Sequence, residues 1–233
     1  MRIDKFLGNM GIGTRSEVKQ FIKKGLVKLN GDKVKTPKTQ VRPEQDDIRV
    51  NDERVLYEPF VYIMLHKPKG YVSATEDDVH PTVIDLIPEY QHLDIFPVGR
   101  LDKDTTGLLF ITNDGKFNHH LMNPKQHVEK VYKVEAAQPV RDQDVEAFKA
   151  GITLKEGKLK PAKLTIGDDS NLAYVTLTEG KYHQVKRMFH AIDNEVEALH
   201  RERIGELELD ASLEEGAYRK LTDKEMNLLN YKI

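Results

Sequence analysis

The chain has 233 residues, 39% hydrophobic and 32% charged, which is enough for one large domain or two smaller ones with real cores. That composition excludes a collagen, a wholly disordered chain and, with no cysteine, any disulfide scaffold, thiolate metal site or cysteine nucleophile. The net charge of −2 hides an asymmetry, because residues 1–42 carry +8 and the remainder −10, so a polyanion-binding head on an acidic body is expected.

Residues 2–10 can form a short helix with Ile3, Phe6 and Leu7 as its apolar contacts, interrupted by Gly11 and Gly13. Thr14 followed by Glu17 is a capping-box pattern that starts a second helix. On it Val18, Phe21 and Ile22 form an apolar stripe beside a basic row of Arg15, Lys19 and Lys23, and Gly25 ends it. The run VKLNGDKV then predicts a hairpin around Asn30-Gly31, since a type I′ turn needs positive φ at both central residues. Residues 42–59 are polar and end in proline, which places a domain boundary near Tyr57.

In the body, FVYIMLHKP is a strong strand signal stopped by Pro68. Further strands are predicted at residues 95–98, 108–112, 131–136, 162–166, 173–177 and 195–204, and helices at 116–122, 142–150, 182–192 and 223–231. Strands cluster with helices between them and without regular βαβ alternation, so the fold class is α+β on a mixed, largely antiparallel sheet. No apolar run reaches the roughly 20 residues of a membrane helix. The opening MRIDKFLGNMG lacks the apolar centre of a signal peptide, so a soluble, cytoplasmic protein is expected.

The most unusual segment is GRLDKDTTGLLFITNDG, residues 99–115, a charged loop between two strand patterns. An acidic surface turn is the bland reading, since Asp is a common turn residue. A calcium loop fails because its twelfth place is Asn113 and its flanks are strands. A catalytic carboxylate aimed into a cleft is the third reading. Seven histidines (His66, His80, His92, His119, His120, His127 and His200) show no coherent metal spacing and read as surface or RNA-facing residues. Val185, Met188, Phe189 and Ile192 are read as the core stripe of their helix, with His183, Lys186, Arg187 and His190 on its other side.

The run RIDKFLGNMGIGTRSEVKQFIKKGLVKLNGDKV resembles an S4 RNA-binding domain over roughly the first 55 residues. The string GRLDxDTxGLL resembles the catalytic motif of the RsuA/RluB/RluE/RluF group of pseudouridine synthases. VEKVYKVE, residues 128–135, resembles that group's K-x-Y strand, and LTEGKYHQVKRMFHAI, residues 177–192, its EGxxHQVxRMF segment. The resemblance implies an S4-like domain over residues 1–57, two helices plus a hairpin, and a pseudouridine synthase domain over 58–233. It implies Asp102 as the catalytic carboxylate, Lys186 as the cation that pairs with it, and Tyr132 as the ring that stacks on the extruded base. Arg100 would hold a phosphate or wedge into the vacated space, and Asp104 would be structural, bonding its own loop. RNA contacts are expected from Arg2, Lys5, Arg15, Lys19, Lys23, Lys24, His183, Gln184 and Arg187.

The implied reaction is an isomerisation, so no cofactor and no metal are expected. The expected partner is ribosomal RNA, 16S in a partly assembled small subunit, met by a monomer without membrane attachment. Large-subunit 23S RNA and a non-catalytic S4-type assembly factor are the alternatives. A glycosidase is disfavoured, because nothing in it explains the basic head.

Overall fold

The charge and apolar alternation of the head resolves into two helices and a small sheet in the computed structural model of the chain, which describes residues 1–232. Helix α1 (Ile3–Asn9) is followed by α2 (Arg15–Lys23), whose start is the expected capping box. Thr14 Oγ1 accepts from the Glu17 amide, and Glu17 returns a carboxylate oxygen to the Thr14 amide at 2.7 Å. Strands β1 (Val27–Leu29) and β2 (Asp32–Lys33) meet at Asn30 and Gly31, whose φ angles of 51° and 92° are those the type I′ turn requires. With β3 (Ile48–Val50) and β4 (Glu53–Arg54) they form a sheet of order β2-β1-β3-β4.

The core of this first unit is Ile3, Phe6, Leu7, Val18, Ile22, Val27 and neighbouring valines. Arg15, Lys19 and Lys23 stay exposed beside that stripe, as the helical spacing predicts. The unit comprises residues Met1–Val61 and also Ile87–Ile95, a return segment that the composition of the chain does not announce. Within it the 3-10 turn Pro88–Leu93 sets the His92 ring against Gly11.

The second unit, Tyr62–Leu86 with Phe96–Ile233, is built on one large sheet. Its elements are β5 (Tyr62–Lys67), β6 (Phe96–Val98), β7 (Thr106–Thr112), α3 (Gly115–Met122), β8 (Lys130–Ala136) and α4 (Asp142–Ala150). There follow β9 (Thr153–Leu154), β10 (Gly157–Lys158), β11 (Lys163–Ile166), β12 (Leu172–Leu177) and α5 (Gln184–His190). The chain continues through β13 (Val196–Ile204), β14 (Leu207–Glu208), β15 (Tyr218–Lys220) and α6 (Asp223–Leu228).

The sheet order is β11-β12-β8-β13-β7-β5-β15, and every pairing in it is antiparallel except β13 with β7. This is the mixed, largely antiparallel α+β architecture expected. Helices α4 and α5 cover one cluster of the core through Phe148, Val185, Met188 and Phe189. Helices α3 and α6 cover a second through Phe117, Leu121 and Met226. Among the described residues no helix is long and apolar enough to cross a membrane.

Asp114 joins the start of α3 to the end of the chain. One of its oxygens takes the hydroxyl protons of Tyr62 at 2.9 Å and Tyr231 at 2.6 Å, and the other caps α3 through the Lys116 amide. Burial works against this carboxylate, yet the two hydroxyls and the helix amides hold its pKa below the ordinary value. A depressed carboxyl pKa stabilises the fold above the unfolded value and loses that contribution as pH falls through the folded one. Asp114→Ala is therefore expected to lower stability by ~2–4 kcal/mol, about 5–15 °C in Tm, at neutral pH. Thermal melts at pH 7 and pH 3 check this, with the difference between variant and wild type shrinking at the lower pH.

Candidate active site

Asp102 lies on the loop that leads into β7, and its position is set chiefly by backbone contacts. Lys67, the last residue of β5, is fully buried, and its ammonium donates to the carbonyls of Pro68 at 3.1 Å, Asp102 at 3.0 Å, Lys103 at 3.4 Å and Thr105 at 2.8 Å. Burial pulls this lysine down to about 8, with the Asp104 and Asp102 carboxylates pulling the other way. The Gly70 amide donates to Lys103 O, and the Ser73 hydroxyl bonds both the amide and the carbonyl of Leu101. The loop is thus clamped from below by the segment HKPKGYVS.

Two glycines make the clamp possible. Gly99 has φ 71°, and a Cβ there would stand 2.5 Å from Met122 Sδ. Gly107 has φ 107°, and a Cβ there would stand 2.2 Å from Arg201 O, so only glycine lets the parallel strands β7 and β13 approach at that level. The buried guanidinium of Arg201 closes the same region by donating to Leu108 O at 2.8 Å.

The side chains around Asp102 come from α5 and the turn before it. His183 Nε2 is 3.4 Å from one Asp102 oxygen, and Lys186 Nζ is 3.4 Å from the other. Lys186 is held more closely by Asp104, at 2.7 and 2.8 Å to its two oxygens. Asp104 is therefore the main anchor of the lysine, a role beyond the bonding of its own loop that its turn position suggested. The Lys186 hydrogen bond holds the Asp104 carboxyl below its ordinary pKa. Burial works against the Lys186 ammonium, but Asp104 first and Asp102 second keep it above the usual lysine range.

Tyr132 sits in β8 opposite Val175 of β12 and Arg201 of β13, while Arg201 in turn lies level with Gly107. Residues opposite one another in an antiparallel pair share a face, so Tyr132 shares the α5-covered face of the sheet and packs on its core. Lys130, two residues earlier, is buried and donates to the Leu121 and Val128 carbonyls, which ties the start of β8 to the last turn of α3. Burial takes this lysine to about 8 as well.

The remaining expected residues divide by exposure. Lys5, Arg15, Lys19, Lys23, Lys24 and Arg100 are exposed. Arg2 is exposed but its guanidinium is bidentate on the buried Asp4, at 3.0 and 2.6 Å. Gln184 is buried: its amide oxygen accepts from the Lys181 amide and its nitrogen donates to Glu179, so its side chain braces the turn before α5. Arg187 pairs with Glu156 and donates to Tyr182 O.

Four of the histidines read as surface residues, His66, His80, His120 and His200, are half-buried instead. His66 and His200 meet edge to face at 5.4 Å, His200 Nδ1 bonds Thr106 Oγ1 at 2.7 Å, and both line a cavity of about 390 Å³ with Glu202 and Asp210. Lys67 and Arg201 were missed by sequence reading. A lysine that breaks an otherwise apolar strand immediately before Pro68 is the signal that could have pointed to the first of them.

The family described as RNA pseudouridylate synthase matches residues 61–191, and the S4 domain family matches residues 1–48. An uncharacterized RNA pseudouridine synthase of Bacillus subtilis, YtzG, is 46% identical, over 99% of this chain and 98% of its own. The ribosomal small subunit pseudouridine synthase A of Haemophilus influenzae is 44% identical over 98% and 99%, and that of Escherichia coli 40% over 97% and 98%. A crystal structure of a pseudouridylate synthase superposes with a TM-score of 0.70 at 42% identity, covering 98% of this chain and 99% of that one.

Replacing Lys67 by methionine removes one donor from each of four carbonyls, of which Asp102 O keeps the Thr105 amide and Lys103 O the Gly70 amide. Lys67→Met is expected to cost ~2–3 kcal/mol, about 5–10 °C in Tm. Hydrogen exchange should accelerate at the Gly70 and Thr105 amides, which donate into the clamped loop. Unchanged exchange there would show that the loop holds its shape without the lysine.

Proposed function

The chain belongs to the RNA pseudouridylate synthase family, and from that premise we propose that it converts one uridine of small-subunit (16S) ribosomal RNA to pseudouridine, as a cytoplasmic monomer acting on a partly assembled subunit. The names and full-length similarity of the Haemophilus influenzae and Escherichia coli relatives support the small-subunit target. In the proposed division of labour, residues 1–57 dock the RNA and 58–233 perform the chemistry.

Pseudouridine formation breaks the bond from uracil N1 to the sugar C1′ and joins C5 to C1′. The C5 hydrogen leaves as a proton and N1 takes one up, so the step balances as an isomerisation. Attack on C1′ and removal of a sugar proton both require an ionised carboxylate. The observation that carries this reading is Asp102, its carboxylate flanked at 3.4 Å on each oxygen by His183 and Lys186. Those two groups restrain it while leaving its lone pairs open to the sugar. Tyr132, on the same face of the sheet, is assigned the stacking of the extruded base, and the exposed Arg100 a phosphate or the gap the base leaves. Lys5, Arg15, Lys19, Lys23 and Lys24 are assigned to RNA phosphates, with Arg2 as a weaker candidate because Asp4 holds it. Arg187 is placed at the rim, and Gln184 acts through the turn it braces.

Tritium release from ribosomal RNA labelled at uridine C5 tests the reaction directly. Wild type is expected to release tritium from small-subunit RNA, and Asp102→Asn to release none while still binding. Release from large-subunit RNA alone would move the target to that subunit. Asp104→Asn should lower kcat about tenfold with KM within about twofold, because it loosens the cation beside Asp102 without touching affinity. Lys19→Ala with Lys23→Ala should raise KM about three- to tenfold and flatten the salt dependence of binding by roughly two ion equivalents.

A further inference from the structure

Tyr182 is 77% exposed, the second most exposed of the large apolar side chains and the most exposed aromatic ring among the described residues. It is not free to fold down onto the surface. Its ring stacks on that of His183 with centroids 3.7 Å apart and planes 21° apart. His183 has a left-handed backbone, φ 47°, which a residue with a Cβ adopts only where its surroundings enforce it. Three contacts enforce it here. Arg187 Nη1 donates to Tyr182 O at 3.2 Å, the Lys181 amide donates to Gln184 Oε1 at 2.9 Å, and Gln184 Nε2 donates to Glu179 at 3.0 Å. At its edge, His183 Nε2 lies 3.4 Å from the Asp102 carboxylate.

One face of the Tyr182 ring is therefore spent on His183, and the other is presented to solvent one imidazole away from the reacting carboxylate. An apolar ring fixed in water beside a site that takes a base out of its stack has a natural occupant. Extruding the target uridine leaves its neighbours without a stacking partner, and aromatic side chains replace such partners without regard to base identity. We infer that Tyr182 is a stacking platform for the unpaired nucleobase next to the target uridine in the RNA. The base, Tyr182 and His183 then form one continuous stack, and the edge of its last ring meets Asp102. This inference rests on the pseudouridine synthase reading of the site and adds to it a second nucleotide subsite.

The test uses the full chain and a small-subunit RNA fragment, free or partly assembled with protein as the wild type requires, bearing C5-tritiated uridine at the target, whose position is first mapped by primer extension on RNA modified by the wild type. Tyr182→Ala is expected to raise KM on the order of 5- to 150-fold with kcat within about twofold, the range that base–aromatic stacking spans. Tyr182→Phe keeps the ring and should stay near wild type. An abasic nucleotide at one neighbour of the target should reproduce the Tyr182→Ala loss in wild type and add nothing further in the variant. Unchanged KM in Tyr182→Ala, or losses that multiply with abasic sites on both sides, would overturn the platform. The wild-type control separates the two levels. Absence of release from small-subunit RNA, free and partly assembled with protein, defeats the target assignment, and the comparison is then made on whichever ribosomal RNA the wild type turns over.

Discussion

An ammonium group removed from water must find new dipoles, and Lys67 finds them in four backbone carbonyls, three of which belong to the loop around Asp102. Desolvation of a lone charge is so unfavourable that the loop cannot relax away from the lysine without uncovering it. The carboxylate is consequently positioned through its own main chain, leaving its side chain free for the chemistry proposed for it. Gly107 extends the same constraint into the sheet. Its missing side chain lets β7 run directly against β13, and that parallel contact brings the Asp102 loop level with Arg201 and Tyr132.

Above that foundation the site is an arrangement of charge around one carboxylate. His183 and Lys186 each stand at 3.4 Å from Asp102, beyond a good N–H···O bond, while Lys186 is satisfied at 2.7 Å by Asp104. Two acidic groups share one lysine, and the closer of them sits further out toward solvent. The lysine stays charged and in place without saturating the carboxylate on which the chemistry is proposed to depend. A lysine suits this geometry, because a point charge can be shared between two carboxylates at unequal distances.

Affinity and chemistry make opposite demands on solvent. Phosphate binding wants flexible, hydrated cations, and the row Arg15, Lys19 and Lys23 on α2 is exposed along its length. Bond breaking at the sugar wants a half-shielded carboxylate with fixed neighbours, and Asp102 has 27% of its side chain exposed. On the proposed assignment, placing these in separate compact units, each with its own apolar core, lets each be met without compromise to the other.

Features governed by near neighbours in the chain were legible from the residues alone. The Thr14–Glu17 capping box, the Asn30-Gly31 turn, helix α4 at Asp142–Ala150 and the buried stripe of Val185, Met188 and Phe189 follow from dihedral preference and periodicity, which act over a few residues. The motif around Asp102 marked the loop proposed to be reactive by resemblance, without its geometry. Other features depend on groups distant in sequence. The ligands of Lys67 lie up to 38 residues away, and Asp104 reaches Lys186 across 82. Gln184 turned inward because Glu179 and the Lys181 amide were there to receive it. Residues 87–95 returned to the first unit although no local signal directs them there. Local sequence determined which segments are helices, strands and turns; only the tertiary fold decided which buried charges are solvated by which carbonyls, because that energy exists only once the distant partners have met.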